Sequence, residues 1–370
     1  MLKKLLSLLL IVAVFVPLIA QDDAFPLKTT FRGDFARSGV YDGDGQRVRP
    51  EVAWSNDLAR PVRTTPAVAD GRVFIGSEEG TLYAFDTQDG AELWQFDITA
   101  PFVSTPAVVG TTLYIGGLDK FVYALNAETG EKLWESLTLG GVYSSPAVLD
   151  GVVYIGSLDE MLYALDAETG ESLWTFDTGG QIWSSPAVAD GIVYVGNRAG
   201  FITALDAATG ALVWQVEVGG GIDATPAVFD GVVYIGSYDQ SFYALDAADG
   251  GLIWSVDSGS LIYASAAVTD ETLYVTQYEG VLLALNRADG AERWRASVGQ
   301  IAYSSPTVVG DVVYALSEEG GRLYAFDAAS GEELWFVVTG AEGDYRSSSP
   351  VWAEDMLYIG SNSEGVIAYR

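Results

Sequence analysis

A set of side chains spaced forty residues apart is suited to binding a ligand. Three residues before each recurring proline stand Arg63, Val103, Tyr143, Trp183, Asp223, Tyr263 and Tyr303, and Arg346 or Ser347 comes near this position in the last unit. Aromatic rings with guanidinium and carboxylate groups can clamp a planar ligand, a sugar ring or a peptide side chain. We therefore predict a binding site that contains Arg63, Tyr143, Trp183, Asp223, Tyr263, Tyr303 and Arg346. The alternative is that these side chains only fill a central channel.

The composition excludes most familiar catalytic chemistry. The 370-residue chain has neither Cys nor His, so it cannot form disulfides, thiolate nucleophiles, Cys/His zinc sites or imidazole-based triads. The run YDGDGQ at residues 41–46 places Asp42 and Asp44 at calcium-loop spacing, but Gln46 breaks that pattern and a linker turn is predicted. No catalytic or metal-binding residue is predicted.

The charge is strongly acidic. Fifty Asp and Glu against nineteen Lys and Arg give a net charge of -31, which repels phosphate backbones, so nucleic acid is not expected as a partner. Acidic side chains also recur in one loop of each unit, at Glu78-Glu79, Asp119, Asp159-Glu160, Asp239, Glu279, Glu318-Glu319 and Glu364. These loops are expected to form an acidic rim on the same face as the binding site. Such a rim would favour basic peptides or cations, or it would be a solvated surface.

Residues 1–21 have the pattern of a secretory signal peptide. Lys3 and Lys4 precede an apolar run that is shorter than the ~20 residues needed to span a bilayer, and cleavage is expected after Ala20. We expect a secreted, periplasmic or cell-surface monomer with no transmembrane span after signal removal. A signal retained as an anchor is the alternative. Without Cys the chain cannot be a bacterial lipoprotein.

A forty-residue repeat positions the predicted site. Tryptophans recur at Trp54, Trp94, Trp134, Trp174, Trp214, Trp254, Trp294 and Trp335. One unit, Val142 to Trp174, consists of short runs rich in Val, Tyr, Ile and Leu that are separated by turn residues such as Asp150-Gly151. This pattern is typical of four antiparallel strands, and a forty-residue period of such units favours propeller blades. The tryptophans are expected to pack between adjacent blades and so to be structural.

The ends of the repeat predict how the ring closes. The last unit supplies three strands between Ser347 and Arg370, while Glu51 to Asp57, which contains Trp54, is an unpaired fourth strand at the other end. We therefore predict an all-β fold, an eight-bladed propeller whose N-terminal strand pairs with the C-terminal blade. The expected organisation is a signal peptide at 1–21, a leader at 22–50 and one propeller domain at 51–370.

The run ALDAETGESLW at Ala164 to Trp174 resembles the tryptophan-docking motif of pyrroloquinoline quinone (PQQ)-like repeat propellers, and it recurs in seven copies. FRGDFARSG at Phe31 to Gly39 is similar to a leader segment of such proteins. The resemblance extends to the quinoprotein dehydrogenase-like superfamily and to the outer-membrane β-barrel assembly lipoprotein. It therefore implies either a non-enzymatic assembly scaffold or a dehydrogenase that uses the quinone with calcium, a stacking Trp and a catalytic Asp.

Three functions remain open on this basis. The favoured interpretation is a non-enzymatic scaffold that binds a protein or peptide partner, for example in cell-envelope assembly, with no cofactor. The second is a PQQ-dependent oxidoreductase, in which Trp183 and Asp223 would imitate the stacking Trp and the catalytic Asp. The third is a carbohydrate-binding module that uses the aromatic side chains.

Overall fold

The computed structural model describes residues 27–370 except Ala59, Arg63, Glu319 and residues 341–347. The predicted signal peptide, Arg63 and Arg346 therefore lie outside the described residues. Within the described part, the chain forms eight sheets arranged as the blades of a propeller. No helix in this part could cross a membrane.

Four strands make up each blade, and in blades one to seven they follow in sequence order from the channel outwards. The innermost strands are β4 (Ala67–Ala69), β8 (Ala107–Val109), β12 (Ala147–Leu149), β16 (Ala187–Ala189), β20 (Ala227–Phe229), β24 (Ala267–Val268), β28 (Thr307–Val309) and β32 (Val351–Ala353). The second strands are β5 (Arg72–Gly76), β9 (Thr112–Gly116), β13 (Val152–Gly156), β17 (Ile192–Gly196), β21 (Val232–Gly236), β25 (Thr272–Gln277), β29 (Val312–Ser317) and β33 (Met356–Ser361). The third strands are β6 (Thr81–Asp86), β10 (Phe121–Asn126), β14 (Met161–Asp166), β18 (Phe201–Asp206), β22 (Ser241–Asp246), β26 (Val281–Asn286), β30 (Arg322–Asp327) and β34 (Gly365–Tyr369).

The outermost strands close the ring. They are β7 (Glu92–Asp97), β11 (Lys132–Leu137), β15 (Ser172–Asp177), β19 (Leu212–Glu217), β23 (Leu252–Asp257), β27 (Glu292–Ser297), β31 (Glu333–Val338) and, in blade eight, β3 (Val52–Asn56). Strand β3 pairs antiparallel with β34, and Trp54 lies opposite Ala368. The predicted eight-bladed fold and its closure by the N-terminal strand are therefore confirmed.

Tight hairpins join the first two strands of the blades. Asp150 and Gly151 both have positive φ, 50° and 76°. Two successive residues with positive φ make a turn whose twist matches that of the flanking strands, and Asp-Gly is a preferred pair for it. The chain therefore turns directly from the innermost strand into the second strand. The first residue of the innermost strand lies at the end of the channel opposite to this hairpin.

The tryptophans lie between blades. Trp134 Nε1 donates a hydrogen bond to the carbonyl oxygen of Ala167 in the next blade at 3.0 Å, and its ring covers Gly170, where a Cβ would come within 2.7 Å of the indole. Six further tryptophans repeat this contact with the next blade: Trp54, Trp94, Trp174, Trp214, Trp254 and Trp294. One buried apolar cluster fills each of the eight blade interfaces. The blades are therefore held by side-chain packing, since their sheets are separate.

The leader crosses the channel, which the sequence did not predict. Strand β1 (Leu27–Thr29) adds to β8 of blade two in the antiparallel direction, and β2 (Val40–Tyr41) adds to β28 of blade seven in the parallel direction. Between them the carbonyl oxygens of Phe35, Ala36 and Ser38 accept the backbone N–H groups of innermost strands of blades four to six. The leader therefore satisfies backbone groups that an open channel would leave unpaired.

Two leader arginines are buried in the channel. Arg37 is fully buried and donates to the carbonyl oxygens of Pro186 and Pro146, each at 2.9 Å. Arg32 donates to the carbonyl oxygens of Pro306, at 2.8 Å, and Ala266. Burial lowers the pKa of Arg37 to about 9, still above neutrality, so its guanidinium is charged at pH 7.

The leader also replaces a missing docking turn. Blade eight has no turn for the tryptophan of blade seven, and Trp335 Nε1 donates instead to the carbonyl oxygen of Gln46 at 2.7 Å. Gln46 N–H in turn donates to the hydroxyl of Tyr314. Nearby, Arg47 forms ion pairs with Asp311 at 2.6 Å and Asp327 at 2.9 Å. Gln46 and Arg47, at the end of the 41–46 run for which a linker turn was predicted and just after it, therefore fasten the leader to blade seven.

Candidate functional site

A cavity of about 720 Å³ opens at the end of the channel where the innermost strands begin. We call this opening the mouth. The predicted residues Tyr143, Trp183, Asp223, Tyr263 and Tyr303 all line the cavity. The two predicted arginines, Arg63 and Arg346, lie outside the described residues, and the tryptophans between the blades do not line it. The forty-residue spacing therefore brings five of the seven predicted side chains to one site, and their role in binding stays a prediction.

Trp183 is sandwiched between two side chains. The ring of Tyr143 stacks on it with 3.8 Å between ring centroids and 23° between planes, and the Cζ atom of Arg198 lies 3.4 Å from the indole centroid. Two groups this close cannot share one face of the ring, so they cover opposite faces. Both π faces of Trp183 are therefore occupied within the protein.

Asp223 is held by its neighbours in the mouth. Its carboxylate accepts two parallel hydrogen bonds from Arg198, at 2.8 and 2.6 Å, and a third from the Tyr238 hydroxyl. These charge-assisted hydrogen bonds to Asp223 raise the pKa of Arg198. The ion pair with Asp223 holds the Arg198 guanidinium against the Trp183 ring, so the same arginine position serves both the ion pair and the stacking contact.

Tyrosines continue this wall across blades five to seven. Tyr263 contacts Tyr238, Tyr278 and Tyr303 with ring centroids 4.6, 5.7 and 4.9 Å away. Burial raises the pKa of Tyr263, and burial together with the neighbouring Tyr278 hydroxyl raises that of Tyr303. These hydroxyls are therefore neutral at physiological pH and can donate hydrogen bonds.

A second repeating position was missed by the sequence analysis. Arg198, Tyr238 and Tyr278 are also forty residues apart, and each lies in the loop between the second and third strands. This loop is tied to the mouth because the N–H of Arg198 donates to the carbonyl oxygen of Gln181. The regular spacing was a signal that could have identified these residues. The sequence analysis instead interpreted these loops only as an acidic rim.

The acidic loops have a mainly structural role in the described residues. Asp159 accepts hydrogen bonds from the Tyr163 hydroxyl at 2.8 Å and from the N–H groups of Leu139 and Gly140. Asp119 and Asp239 likewise accept tyrosine hydroxyls. Among the described residues of the expected rim, Glu78 and Glu318 are the ones that line the cavity. The mouth is therefore more aromatic and less acidic than expected.

A ring of hydroxyls lies two residues deeper than the predicted site. In each blade a Ser or Thr directly before the recurring proline position accepts the corresponding backbone N–H of the preceding blade. The eight bonds run from Thr65 to Thr105 (3.3 Å), Thr105 to Ser145 (3.0 Å), Ser145 to Ser185 (2.9 Å), Ser185 to Thr225 (3.2 Å), Thr225 to Ser265 (2.9 Å), Ser265 to Ser305 (3.0 Å), Ser305 to Ser349 (3.1 Å) and Ser349 to Thr65 (3.0 Å). We call this set the hydroxyl ring. It closes on itself, and all eight members line the cavity.

The leader lies beneath the hydroxyl ring. Phe31 lines the cavity, and the arginines next to it in sequence and space bind the carbonyl oxygens that follow the ring in the innermost strands. The site is therefore a pocket with an aromatic rim, a hydroxyl ring in its wall and a leader residue at its base, and not an open tunnel. The tripeptide Arg32-Gly33-Asp34 belongs to this base, since Arg32 is buried.

The quinone chemistry that the resemblance implies does not fit this arrangement. A stacking Trp needs a free face, but both faces of Trp183 are covered. A catalytic carboxylate needs access to its substrate, but Asp223 already accepts three hydrogen bonds. No group of three or more acidic side chains in the described ranges is arranged to hold a metal ion. We derive no reaction step through a quinone.

The fold and the repeated docking motif define a PQQ-like repeat β-propeller. The PQQ_2 family model, described as outer membrane protein assembly factor BamB, matches residues 49–157, 78–183, 158–264 and 250–370. The protein belongs to this family. No curated protein matches the sequence.

Solved structures with this fold include both non-enzymatic proteins and enzymes. BamB from Moraxella catarrhalis has a TM-score of 0.68 at 21% identity, covering 88% of this chain and 97% of that chain. A europium-containing methanol dehydrogenase has a TM-score of 0.78 at 15% identity, with coverages of 90% and 89%. The computationally designed Ika8 protein has a TM-score of 0.76 at 16% identity, with coverages of 86% and 99%. At these identities the likeness shows the fold alone.

Proposed function

We propose that this protein is a non-enzymatic binding scaffold of the cell envelope that holds a segment of a partner protein in its mouth. The observation that carries the proposal is the pocket of about 720 Å³, whose rim combines aromatic side chains with the Arg198–Asp223 pair. Aromatic residues and Arg are the side chains that dominate protein interfaces, and a pocket of this size accepts a short segment of a partner. The cellular location follows from the predicted signal peptide and the family.

The contacts that Trp183 and Asp223 make within the protein favour a scaffold over an oxidoreductase. Tyr143 and Arg198 cover the faces of Trp183, and Arg198 also binds Asp223. These contacts make the wall rigid and leave neither Trp183 nor Asp223 available for a reaction. A rigid wall lowers the entropy cost of binding a partner. The carbohydrate-binding alternative is weaker for a related reason, since the faces of Trp183 are not open to a sugar ring.

Affinity capture from the native cell envelope tests the proposal. The immobilised protein is compared with Trp183→Ala, which removes the centre of the aromatic wall, and with Leu133→Ser, which changes a half-exposed residue on an outer strand. We expect a partner that is retained by the original protein and by Leu133→Ser but lost by Trp183→Ala, because an interface aromatic is worth about 2 kcal/mol or more.

Two outcomes would overturn this function. One is a partner that Trp183→Ala retains and Leu133→Ser loses, which would move the interface to the outer strands. The other is dye-linked alcohol or sugar oxidation with PQQ and calcium that is lost in Asp223→Asn while folding is retained. The second result would make the protein an oxidoreductase.

A further inference from the structure

The hydroxyl ring has unused donors. Its members are 3% to 5% exposed, and each oxygen accepts one backbone N–H from the preceding blade. A hydroxyl also carries one proton of its own. Across the described residues, none of the eight hydroxyls donates this proton to a protein acceptor. Since all eight line the cavity, their protons are available to a ligand there.

Trp183, which lines the same cavity, also has an unused donor. Its Nε1 atom is buried and makes no hydrogen bond to any described residue. Each of the eight tryptophans of the forty-residue repeat, by contrast, donates its Nε1–H to a carbonyl oxygen, as Trp174 does to Ala207 at 3.0 Å. Leaving such a buried donor unpaired is unfavourable, because the group has lost its hydrogen bonds to water. The exception at Trp183 therefore points to an acceptor that comes from outside the chain.

Most acceptors around the cavity are already engaged. Asp223 accepts three hydrogen bonds, and Glu78 and Glu318 have interactions of their own. The engagement of Asp223 within the protein weakens the case for a ligand cation. Anions are disfavoured by the net charge of -31. The unused donors, namely the hydroxyls of the ring and the Trp183 Nε1–H, are neutral. They are best matched by an uncharged ligand that carries several oxygen acceptors.

We infer that the hydroxyl ring and Trp183 Nε1 bind the uncharged oxygen acceptors of a peptide segment, namely backbone carbonyls and Asn or Gln side-chain amides. This inference rests on the proposed function and names its ligand class. A peptide is favoured over a sugar because Tyr143 and Arg198 cover the two faces of Trp183, so a sugar ring cannot stack on the indole. The segment enters with its acceptor-bearing tip towards the ring and its flanks against the aromatic rim.

Ligand-observed saturation-transfer NMR on the purified protein tests the ligand class. The probes are acetyl-Gly-Asn-Gly-amide, the same peptide with Lys or Asp in place of Asn, and the neutral sugar maltotriose. We expect the Asn peptide to bind about tenfold more tightly than the Lys or Asp peptide and than maltotriose. A preference for Lys or Asp would overturn the inference, as would equal binding of the three peptides or none. Tighter binding of maltotriose would make the cavity a sugar site.

Two variants with a matched control locate the binding. Ser145→Ala removes one hydroxyl of the ring, whereas Ser144→Ala removes a buried neighbouring hydroxyl that accepts the N–H of Gly156 at 3.1 Å and does not line the cavity. Both lose one acceptor, so their stabilities should fall alike. We expect the Asn peptide to bind Ser145→Ala and Trp183→Phe about two- to tenfold more weakly, the range for one neutral hydrogen bond. Binding to Ser144→Ala should be unchanged.

Equal losses of binding in Ser144→Ala and Ser145→Ala, or unchanged binding in Trp183→Phe, would overturn the assignment to the hydroxyl ring. Failure of this inference is distinguishable from failure of the scaffold function. If Trp183→Ala loses the captured partner but the tripeptides show no preference for Asn, the mouth binds proteins through other chemistry. If no partner depends on the mouth, both are wrong.

Discussion

Two tryptophans nine residues apart have different environments. Trp174 donates its Nε1–H to Ala207 and covers Gly210 of the next blade, whereas Trp183 stands in the mouth between Tyr143 and Arg198. The first is fixed by blade packing, because only Gly leaves room for its ring. The second is fixed by neighbours that differ from blade to blade. This difference separates a structural tryptophan from one that is free to serve binding.

Replacing these residues should therefore have unequal effects on stability. We expect Trp174→Ala to lower the free energy of unfolding by about 3 kcal/mol or more, because it leaves a cavity between blades. Trp183→Ala, at the partly exposed mouth, should cost about 1 kcal/mol, the scale of a lost aromatic pair. Urea denaturation of both variants measures the difference. Equal losses would mean that Trp183 is a core residue and that the mouth is not a preformed binding wall.

The tyrosines of the mouth predict a pH dependence. Burial raises the pKa values of Tyr238, Tyr263 and Tyr303 above the usual 10. Above about pH 10 the unfolded chain therefore loses protons that the folded chain retains, and the free energy of unfolding falls as the pH rises. Urea denaturation at about pH 9 and about pH 11 should show this loss, and Tyr303→Phe should reduce it. A variant with the same loss as the original protein would contradict the shift at Tyr303.

The sequence located part of the site because one register position recurs every forty residues. Tyr143, Trp183, Asp223, Tyr263 and Tyr303 share that position, so closing the ring brings them together. The hydroxyl ring also recurs every forty residues, but the sequence analysis made no prediction for this position. The engagement of Asp223 by Arg198 was not predictable, since it depends on how two loops of adjacent blades approach in space.

At the scale of elements, the path of the leader through the channel is the part of the fold that the sequence did not predict. Its residues do not repeat, and its contacts join positions as distant in the chain as Arg32 and Pro306. Periodicity gives no information on such a segment. The blades, in contrast, follow from the alternation of short apolar runs with tight turns, which are Asp-Gly in four of the eight blades. The course of the leader depends on the backbone N–H groups that the innermost strands present to the channel once the eight blades have assembled.

The buried arginine of the leader should be more important for stability than an exposed one. Arg37→Leu leaves the carbonyl oxygens of Pro146 and Pro186 without their donor, and we expect a loss of about 3–5 kcal/mol. The control is Arg47→Leu, whose ion pairs to Asp311 and Asp327 are partly exposed and should be worth less than about 1 kcal/mol each. Chemical denaturation compares them. Similar, small losses would show that the leader is not required to hold the channel.

At the scale of the whole molecule, strand β3 makes the ring continuous. It pairs with β34, and Trp54 docks on blade one through Thr87 at 2.8 Å. Deleting residues 22–57 would remove the leader, this strand and this tryptophan at once. Blade eight would then expose the unpaired edge of β34, and exposed edges template association.

We expect this deletion to lower stability and to produce oligomers. Size-exclusion chromatography with light scattering and urea denaturation measure the two effects. A control deletion of residues 22–26, which precede β1, should leave both unchanged. If the long deletion were monomeric and as stable as the control, closure by the N-terminal strand would not be needed for the fold.

Site-specific photocrosslinking tests most directly the claim that the mouth is the binding surface. A benzophenone amino acid replaces Val103, which lines the cavity, or Asp190, which lies in an exposed hairpin at the opposite end of the channel. Irradiation in the native envelope should give a defined adduct from Val103, weakened in the Trp183→Ala background, and none from Asp190. A defined adduct from Asp190 with none from Val103 would contradict the account.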